Sequence, residues 1–593
     1  MNEPNYKDIL NDLQLAVVGD ITTLDVDRER LARDTSLFYV KPEIVVYPKT
    51  RDHISNLLAY VTEARKHNID VSVAFRSAGT CMTGGSLTQS ILVDTTKYLT
   101  KVSDVTEFSA TAEPGVYYRD FEKKTLAHGW IMPSYPASRE IAAIGGIVSN
   151  NSGGEKTLTY GKTEKYVQSL DVVYANGGRD LLRPFSGEEL QAKMNEQTEG
   201  GRIHREMYSL ITENYDTIMN AKPTVSKNSS GYYLWNVYNK ETDTFDLSKL
   251  VVGSQGTLAA VASATFTGVK PKTHSRMIVM FVPSTVHLGE IVVKMLTHKP
   301  ESIESYDDHT FKIAIKFFKD IAKKMGGNMI TMGLQFLPEF WMVLTGGVPK
   351  IILMAEFAGD SEEEVDAQVK AAYEDMKSFK LPIQRTRSEW ESKKYWTFRR
   401  ESFNLLRSRL AGMRTAPTID DIVVHPKDLP EFLPKLDAIF SKDTYKGLIY
   451  TVAGHMGDAN FHIIPLIDIH TEGIVETLHQ LMEEVFTLVF EYKGSMSGEH
   501  NDGLLRSSYL PKMYAPEIIT LFEKTKNIFD PLHVLNPGKK VFADKEFAWK
   551  HIDREQQPTD KKIEEPKKPI EVVIVKQPPL EVIGIEDGRE KNI

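Results

Sequence analysis

The sequence has one cysteine, Cys81, among its 593 residues. A single cysteine excludes an intrachain disulfide, a cysteine-ligated iron–sulfur cluster and a cysteine-rich zinc site. It also fits a reducing, intracellular compartment. No apolar run reaches the roughly 18 residues that a membrane-spanning helix needs. The N-terminus MNEPNYKDILNDLQL has no positive segment followed by an apolar one and is acidic. It therefore predicts neither a signal peptide nor a mitochondrial transit peptide.

An excess of positive charge is also missing. Lys and Arg number 72 against 81 Asp and Glu, which gives a net charge of −9. This balance argues against general nucleic-acid binding, which requires clustered positive charge. A local basic pocket for an acidic substrate is still compatible with it. Hydrophobic residues make up 41% and aromatic residues 9%. Such a chain can build sizeable cores, so a mainly disordered protein is excluded.

Two regions of mixed helix and strand follow one another. In the first, short β-branched runs such as IVVYP and VSVAF alternate with helical patterns such as RDHISNLLAYVTEARKHN, which indicates an α/β or α+β unit. In the second, strand runs such as MIVMFVP accompany two predicted helices, SEEEVDAQVKAAYEDMKSF and HTEGIVETLHQLMEEVFTLVFEYKG. We predict an N-terminal arm at 1–35, domains at 36–270 and 271–543, and a flexible tail at 544–593.

Two segments outside this pattern have alternative interpretations. The tail is rich in Lys, Glu and Pro, which predicts a mobile linker; its IEVVIV run is alternatively a docking strand for a partner. The densest apolar stretch, 329–357, is broken by Pro338, Glu339, Pro349 and Lys350. It predicts either core strands or an interfacial surface.

Glycine-rich loops follow two of the predicted strands. RSAGTCMTGGS (76–86) comes directly after VSVAF, and IGGIVSNNSGG lies at 144–154. Successive backbone N–H groups in such loops bind anions such as a pyrophosphate, and glycine allows close backbone approach. Ordinary turns are the alternative for both loops. Neither loop matches the nicotinamide or P-loop pattern, which disfavours those classes.

The order of these segments resembles a known family. PEIVVYPKT, RSAGT, AEPGV, IGGIVSNNSGG and GSQGTL are similar to the FAD-binding domain of the vanillyl-alcohol oxidase (PCMH-type) superfamily, in its D-lactate, glycolate and D-2-hydroxyglutarate dehydrogenase branch. The resemblance covers about 35–542. It implies non-covalent FAD. The residues that it implies for the cofactor are Arg76, Ser77, Ala78, Gly79, Thr80, Cys81, Gly84, Pro136, Ser138, Gly145, Gly146, Asn150, Gly153, Tyr160, Gly161, Gly256, Thr257 and, in the closing NPGK turn, Asn536.

Two further motifs contain candidate metal ligands. GHMGDANFH contains His455 and His462, and SGEHNDG contains Glu499 and His500. Two imidazoles and a carboxylate suit a divalent metal, although two histidines seven residues apart are often incidental. On one strand that spacing places them on opposite faces, so a strand–loop–strand corner is predicted. The family's metal-dependent members have GHxGDGNxH-like and GEHG-like motifs, which implies His455, His462 and Glu499 as ligands. Ala459 and Asn501 stand where the family usually has glycine.

An arginine-rich stretch, WTFRRESFNLLRSRLAGMRTAPTIDD, is the candidate substrate contact. Arginine suits bidentate recognition of a carboxylate, whereas a solvated basic face is the alternative. The family holds the substrate carboxylate with an arginine here; Arg399 matches best and its neighbour Arg400 stays open. The family's 2-hydroxyglutarate enzymes use a lysine shortly afterwards. Here Asp420 or Asp421 stands near that place, which weakens the case for that substrate.

The sequence thus predicts an α+β, two-domain flavoprotein: a PCMH-type FAD-binding domain and a ferredoxin-like-type antiparallel-sheet cap domain, with a disordered C-terminal tail. The resemblance implies oxidation of a D-2-hydroxy acid, with His500 as general base, Arg399 on the carboxylate and zinc or manganese as the metal. An alkyl-dihydroxyacetone-phosphate synthase-like transferase and a non-catalytic flavin subunit are the alternatives. The expected partner is an external electron acceptor: a quinone, a cytochrome or an electron-transfer protein. A cytoplasmic location is predicted; peripheral contact with the inner membrane face and a homodimer are left open.

Overall fold

The first domain is built on two main sheets. A computed structural model describes residues 4–308, 348–388, 391–397, 399 and 413–554. A four-stranded sheet has the order β1-β2-β4-β3, with parallel pairs on both sides of β4. A five-stranded antiparallel sheet has the order β5-β6-β12-β7-β8, and a small sheet has the order β10-β11-β9. These strands are β1 (Asp20–Thr22), β2 (Ile44–Tyr47), β3 (Val73–Arg76), β4 (Ile91–Asp94), β5 (Val102–Ser103), β6 (Ala110–Ala112), β7 (Val167–Val173), β8 (Arg179–Leu182), β9 (Phe185–Ser186), β10 (Tyr238–Asn239), β11 (Thr244–Phe245) and β12 (Ala260–Phe266).

The second domain is built on one eight-stranded antiparallel sheet. Its order is β16-β13-β15-β14-β19-β20-β17, and β18 also pairs with β20. The strands are β13 (His274–Val282), β14 (Ser302–Asp307), β15 (Ile351–Gly359), β16 (Ile383–Arg385), β17 (Arg414–Thr415), β18 (Ile422–Val423), β19 (Ile449–His455) and β20 (Asn460–Ile467). Both domains mix helices with mainly antiparallel sheet, so the predicted α+β class is confirmed.

The longer helices follow their sequence patterns. Helix Glu362–Met376 begins after Ser361, whose hydroxyl accepts the Glu364 N–H, and has three glutamates in its first turn. The predicted helices over 361–379 and 470–494 are therefore confirmed. The α-helices within the described ranges are Tyr6–Leu15, Asp25–Leu31, Arg51–Lys66, Tyr118–Leu126, Ile144–Asn150, Thr157–Tyr160, Gly187–Asn195, Glu199–Glu213, Tyr215–Asn220, Ser248–Val251, Leu288–Leu296, Glu362–Met376, Leu429–Phe440, Ile474–Glu491, Gly503–Arg506, Leu510–Met513, Pro516–Phe529 and Lys545–Lys550.

One apolar cluster joins the two domains. It contains Leu170 and Phe266 of the five-stranded sheet together with Ile278 and Leu353 of the eight-stranded sheet. Most of the apolar stretch 329–357 lies outside the described residues. Its last part, in β15, is buried between β13 and β14. The core interpretation therefore holds for that part. Within the described part of the chain, no helix combines the length and apolar character needed to cross a bilayer.

Contacts of the described residues cross two of the predicted boundaries, which stay predictions. Residues 20–22, assigned to the arm, form β1 and pair with β2 of the first domain. Residues 545–553, assigned to the tail, are folded: the His551 carbonyl accepts the Tyr39 N–H, and Asp553 Oδ2 lies 2.8 Å from Arg33 Nε. Because these contacts join residues more than 500 positions apart, composition alone does not reveal them. The boundary near 270 stays a prediction.

Candidate active site

The two predicted ligand histidines lie on one face of a hairpin. His455 ends β19, a short turn follows at Met456–Asp458, and His462 lies on β20. His455 pairs directly with Asn460, so those two side chains share a face, and His462 is two residues further along that face. Their ring centroids are 5.1 Å apart. The predicted strand–loop–strand corner is confirmed, and the reversal of the chain explains why a spacing of seven unites the rings.

The second motif is brought to this hairpin by Asp421. This fully buried carboxylate accepts the backbone N–H groups of Glu499 and His500 on Oδ2, at 2.8 and 2.7 Å. Its other oxygen accepts the Asn460 amide at 3.0 Å. As a result, Glu499 Oε1 lies 3.2 Å from His455 Nε2. One ligand atom from each of His455, His462 and Glu499 lies within 4.8 Å of the others.

Carboxylates outnumber cations around this group. Among the described residues, the buried carboxylates of this site are Glu304, Asp420, Asp421, Asp458 and Glu499. Apart from the imidazoles, the cations within 4 Å of these carboxylates are Lys227 and Arg399. Burial opposes the charged form of His455, yet Glu304 and Glu499 raise the pKa of this imidazole to about 9. Nitrogen and oxygen donors with surplus negative charge are chemically suited to zinc or manganese. The residues therefore fit the implied metal.

Sequence reasoning missed Lys227. Its ammonium is fully buried and lies 2.5 Å from Glu499 Oε1 and 3.4 Å from Asp458 Oδ2. Lys227 also donates to the Gly154 carbonyl at 3.3 Å. It therefore connects both metal motifs to the glycine-rich loop 144–154 of the first domain. Despite the cost of burial, Glu499 and Asp458 raise the pKa of Lys227, which keeps it charged. The local sequence VSKNSSGYY gives no periodic sign of this role.

Arg399 lies beside the predicted metal ligands. Its Nη2 is 2.5 Å from Glu304 Oε2, and its side chain is only 10% exposed. Its Nε is buried without a hydrogen-bond partner in the described structure. A buried guanidinium with an unused N–H suits a second carboxylate, such as that of a substrate. Arg400 lies outside the described residues, so the choice between the two arginines stays open.

His500 lies against the ligand His462. The two rings stack with centroids 5.2 Å apart, and His500 Nδ1 is 2.7 Å from Asp420 Oδ2 in an ionic contact that is not aligned as a hydrogen bond. Burial opposes charge on His500, but Asp420 and Asp421 raise its pKa to about 9. The TIDDIVV stretch, expected near a substrate lysine position, thus holds the site's histidines instead.

The glycine-rich loops meet edge to edge. Ser77 Oγ donates to the Pro114 carbonyl at 3.1 Å, and a Cβ on Gly145 would lie 2.5 Å from the same Oγ. Beside this contact, a Cβ on Gly146 would find only Ser77 Cβ at 4.0 Å, and one on Gly256 would meet nothing within 4 Å. The backbone therefore leaves open space where a cofactor would approach closely. The loops therefore fit the FAD cofactor that the resemblance implies for them.

Asn536 clamps the same loops. Its side-chain amide donates to the carbonyls of Gly85 and Gln255, both at 2.8 Å. Lys539 Nζ donates to the Asn536 side-chain oxygen at 2.9 Å and to the Leu87 carbonyl at 2.7 Å. The closing NPGK turn thus returns to the glycine-rich loops, as the sequence order suggests.

Some predicted cofactor residues direct their side chains elsewhere. The Tyr160 hydroxyl donates to Glu301 of the second domain at 2.9 Å, and Thr257 Oγ1 donates to the Ser254 carbonyl at 2.7 Å. Arg76 folds back over Gly79. Ser138 lies in a turn, whereas Pro136, Gly153 and Gly161 lie outside helices, strands and turns, and the cofactor role of all four stays a prediction.

The metal motif and the cofactor loops are contiguous. The Thr83 carbonyl accepts the Leu504 N–H at 2.8 Å, and the Asn501 amide donates to the Gly253 carbonyl at 2.9 Å. Gly503 N–H donates to Gln255 Oε1 at 2.8 Å. The second metal motif therefore lies directly against the cofactor loops. A metal and a flavin bound at these two places would share one site.

The site combines open glycine-rich loops of the first domain with a buried group of acids and bases of the second domain. This combination is typical of a cofactor-dependent enzyme. The sequence matches the FAD binding domain over residues 42–179 and the FAD linked oxidases, C-terminal domain, over 271–540. These matches cover most of the chain. The chain therefore contains an FAD binding domain followed by the C-terminal domain of FAD linked oxidases.

Curated relatives are similar over most of this chain. D-2-hydroxyglutarate dehydrogenase of Escherichia coli (strain K12) is 24% identical over 535 residues, which are 89% of this chain and 51% of the relative. The chain thus spans about half the length of that relative. Glycolate oxidase subunit GlcD of Bacillus subtilis (strain 168) is 26% identical over 522 residues, 86% of this chain and 91% of the relative.

Solved structures share the fold. Alkyldihydroxyacetonephosphate synthase has a TM-score of 0.62 at 15% identity, covering 91% of this chain and 85% of its own. Substrate-bound p-cresol methylhydroxylase has a TM-score of 0.62 at 14% identity, covering 91% and 97%. At this identity the likeness shows the fold alone. It confirms the predicted two-domain PCMH-type architecture.

Proposed function

We propose that this chain oxidises a D-2-hydroxy acid to the 2-oxo acid with FAD as hydride acceptor. The observation that carries the proposal is the buried group of His455, His462 and Glu499, with Arg399 and His500 beside it, at the edge of the cofactor loops. The names of the curated relatives support a hydroxy-acid substrate. A lactate-like monocarboxylate is our preferred substrate, since acidic Asp420 and Asp421 stand near the lysine position of 2-hydroxyglutarate enzymes.

Each residue has a defined task in this reaction. Arg399 pairs with the substrate carboxylate through its unused Nε–H group and so orients C2. In its neutral form, with the Nδ1 proton directed at Asp420, His500 takes the hydroxyl proton at Nε2. His455, His462 and Glu499 would hold the divalent metal, zinc or manganese. When bound, the metal would supply Lewis-acid polarisation of the substrate oxygens, and FAD would supply the acceptor for the hydride of C2.

Electrons leave through a partner. A chain with one cysteine cannot hold an iron–sulfur relay, so an external quinone, cytochrome or electron-transfer protein reoxidises the flavin. We expect slow reoxidation of the reduced protein by oxygen and fast reoxidation by a soluble quinone or a partner protein. Stopped-flow absorbance with each acceptor measures this. Rapid reoxidation by oxygen alone would make the protein an oxidase instead.

Anaerobic flavin bleaching tests the reaction itself. FAD-loaded protein is mixed with matched D- and L-2-hydroxy acids, before and after treatment with a chelator. We expect bleaching by a D-acid, and slower bleaching after chelation with the oxidised flavin spectrum retained. If no hydroxy acid bleaches the flavin, the dehydrogenase proposal is wrong. If chelators leave the rate intact and elemental analysis finds no metal, the metal assignment is wrong.

A further inference from the structure

Two buried carboxylates each contact one proposed metal ligand and one proposed catalytic residue. Glu304 contacts His455 and Arg399, and Asp420 contacts His462 and His500. We infer that Glu304 and Asp420 are positioning residues that couple the metal ligands to substrate binding and to proton transfer, respectively. The inference rests on the proposed function and deepens it.

Glu304 is placed by strand register. It lies on β14 directly opposite His455 of β19, so both side chains point to the same face. The His455 Nδ1 lies 2.8 Å from Oε1 and 3.0 Å from Oε2 of Glu304. With its proton on Nδ1, the imidazole presents its Nε2 lone pair toward Glu499 and the metal. Because Oε2 also contacts Arg399, the Glu304 carboxylate orients both the His455 imidazole and the Arg399 guanidinium.

Asp420 performs the corresponding task on the other side. Its Oδ1 lies 2.9 Å from His462 Nδ1, and its Oδ2 lies 2.7 Å from His500 Nδ1. The carboxylate is fully buried, and its backbone carbonyl accepts a hydrogen bond from the buried Arg506. Since the two rings also stack, a change at Asp420 reaches the ligand and the base together.

An amide cannot replace either carboxylate. A carboxylate accepts on both oxygens, whereas Gln or Asn accepts on one and donates from the other. In the amide variant, an N–H group therefore meets an imidazole N–H or the guanidinium. The contacted group turns away or, for an imidazole, adopts the other tautomer, which removes the Nε2 lone pair from the metal side.

The two amide variants should differ in kinetics. Both Glu304→Gln and Asp420→Asn should weaken metal binding about 10- to 100-fold in calorimetric titration with zinc or manganese. At saturating metal, Glu304→Gln should mainly raise KM because it loosens Arg399. Asp420→Asn should instead mainly lower kcat, on the order of 100-fold, because it misplaces His500. A general loss of structure would not separate KM from kcat in this way.

Glu356→Gln is the matched control. Glu356 is a buried glutamate on β15, diagonal to Glu304 on the same face, and it contacts Trp396. Its loss of charge should leave metal affinity and the KM and kcat values near wild type. If the three variants behave alike, the inference is overturned. If the wild-type protein itself binds no metal and bleaches with no hydroxy acid, the proposed function fails with it.

Folding of the variants is checked by their bound-flavin spectrum. Where Glu304→Gln or Asp420→Asn does not retain FAD, Glu304→Asp and Asp420→Glu take their place, since they keep the charge and change only the reach. These should again affect metal affinity together with KM and kcat, respectively. Wild-type metal affinity in both charge-conserving variants would overturn the inference.

Discussion

Two residues of the site adopt a backbone conformation that favours glycine. Ala459 has φ +48° and Asn501 has φ +69°, and both stand where the family usually has glycine. Asparagine tolerates this left-handed region better than alanine does. The departures from the family pattern thus change the side chain but keep the loop shape on which the ligands depend.

Asn501 allows backbone strain to be separated from hydrogen bonding. Its amide donates to the carbonyls of Asn150 and Gly253. Both Asn501→Gly and Asn501→Ala remove these bonds, but only alanine retains the strain. We expect the alanine variant to be less stable than the glycine variant by about 1 kcal/mol. Urea unfolding followed by flavin fluorescence measures the difference, and equal midpoints would contradict it.

Lys227 should be required for stability when no metal is present. Lys227→Met leaves Glu499 and Asp458 buried beside no ammonium, which should cost about 3–5 kcal/mol of unfolding free energy. Divalent metal should restore part of that loss, because it brings positive charge to Glu499. The measurement is unfolding in chelator and in saturating zinc or manganese.

Lys193→Met is the control for this substitution. Lys193 is buried in the first domain and pairs with Asp180 at 2.7 Å and Glu196 at 2.9 Å. It should lose stability too, but metal should restore none of it beyond the wild-type effect. Equal restoration in both variants would show that Lys227 does not act through the metal group.

At the scale of elements, register and turns position the site. The β14, β19 and β20 pairings place Glu304, His455 and His462 on one face of the eight-stranded sheet. The loop after β3 forms the proposed cofactor cradle, and Asn536 of the NPGK turn is hydrogen-bonded to it. The two proposed histidine ligands therefore lie on strands, whereas the proposed cofactor contacts lie in loops.

Asn536 tests the importance of the loop clamp. Asn536→Ala removes the hydrogen bonds to Gly85 and Gln255, so the loops lose a shared anchor. We expect FAD to bind about 10-fold or more weakly, which corresponds to about 1.4 kcal/mol or more. Asn536→Asp, which keeps the shape but not the donor, should behave similarly. Fluorescence titration with FAD gives both affinities, and wild-type values would exclude a clamp.

At the scale of the whole molecule, the two ends of the described chain pack together. Ile552 pairs with Phe38, and Asp553 lies between Arg33 and Arg414. Nearby, Thr35 donates its N–H to the Cys81 carbonyl in the cofactor loop. The segment 545–553 therefore packs against residues 33–38, and Thr35 of that stretch is hydrogen-bonded to the cofactor loop 76–86.

Two truncations distinguish this segment from the residues after it. Removal of 555–593 leaves every contact named above in place, so thermal stability and dye-linked activity should stay near wild type. Removal of 545–593 deletes the Ile552 pairing and the Asp553 ion pairs, and should lower Tm by several degrees. Differential scanning calorimetry of the FAD-loaded proteins measures both. Equal Tm values for the two truncations would show that 545–553 contributes nothing.

Local patterns determined much of this protein. The helices over 361–379 and 470–494 were predictable because apolar residues recur at helical spacing, and the first of them also has a start signal at Ser361. The glycine-rich loops and the residues of GHMGDANFH and SGEHNDG were visible because each motif is contiguous. The family followed from their order along the chain.

Long-range pairing was decided only by the tertiary structure. Glu304 and His455 are 151 residues apart, and Lys227 and Glu499 are 272 apart. No local spacing indicates which buried charge will face which imidazole, because sheet register and domain docking set those contacts. The same reason explains why composition does not reveal the contacts of residues 545–553 with the N-terminal part of the chain. The sequence by itself determined the candidate ligands and the cofactor loops. The tertiary structure alone decided which buried residues contact those ligands, namely Glu304, Asp420, Asp421 and Lys227.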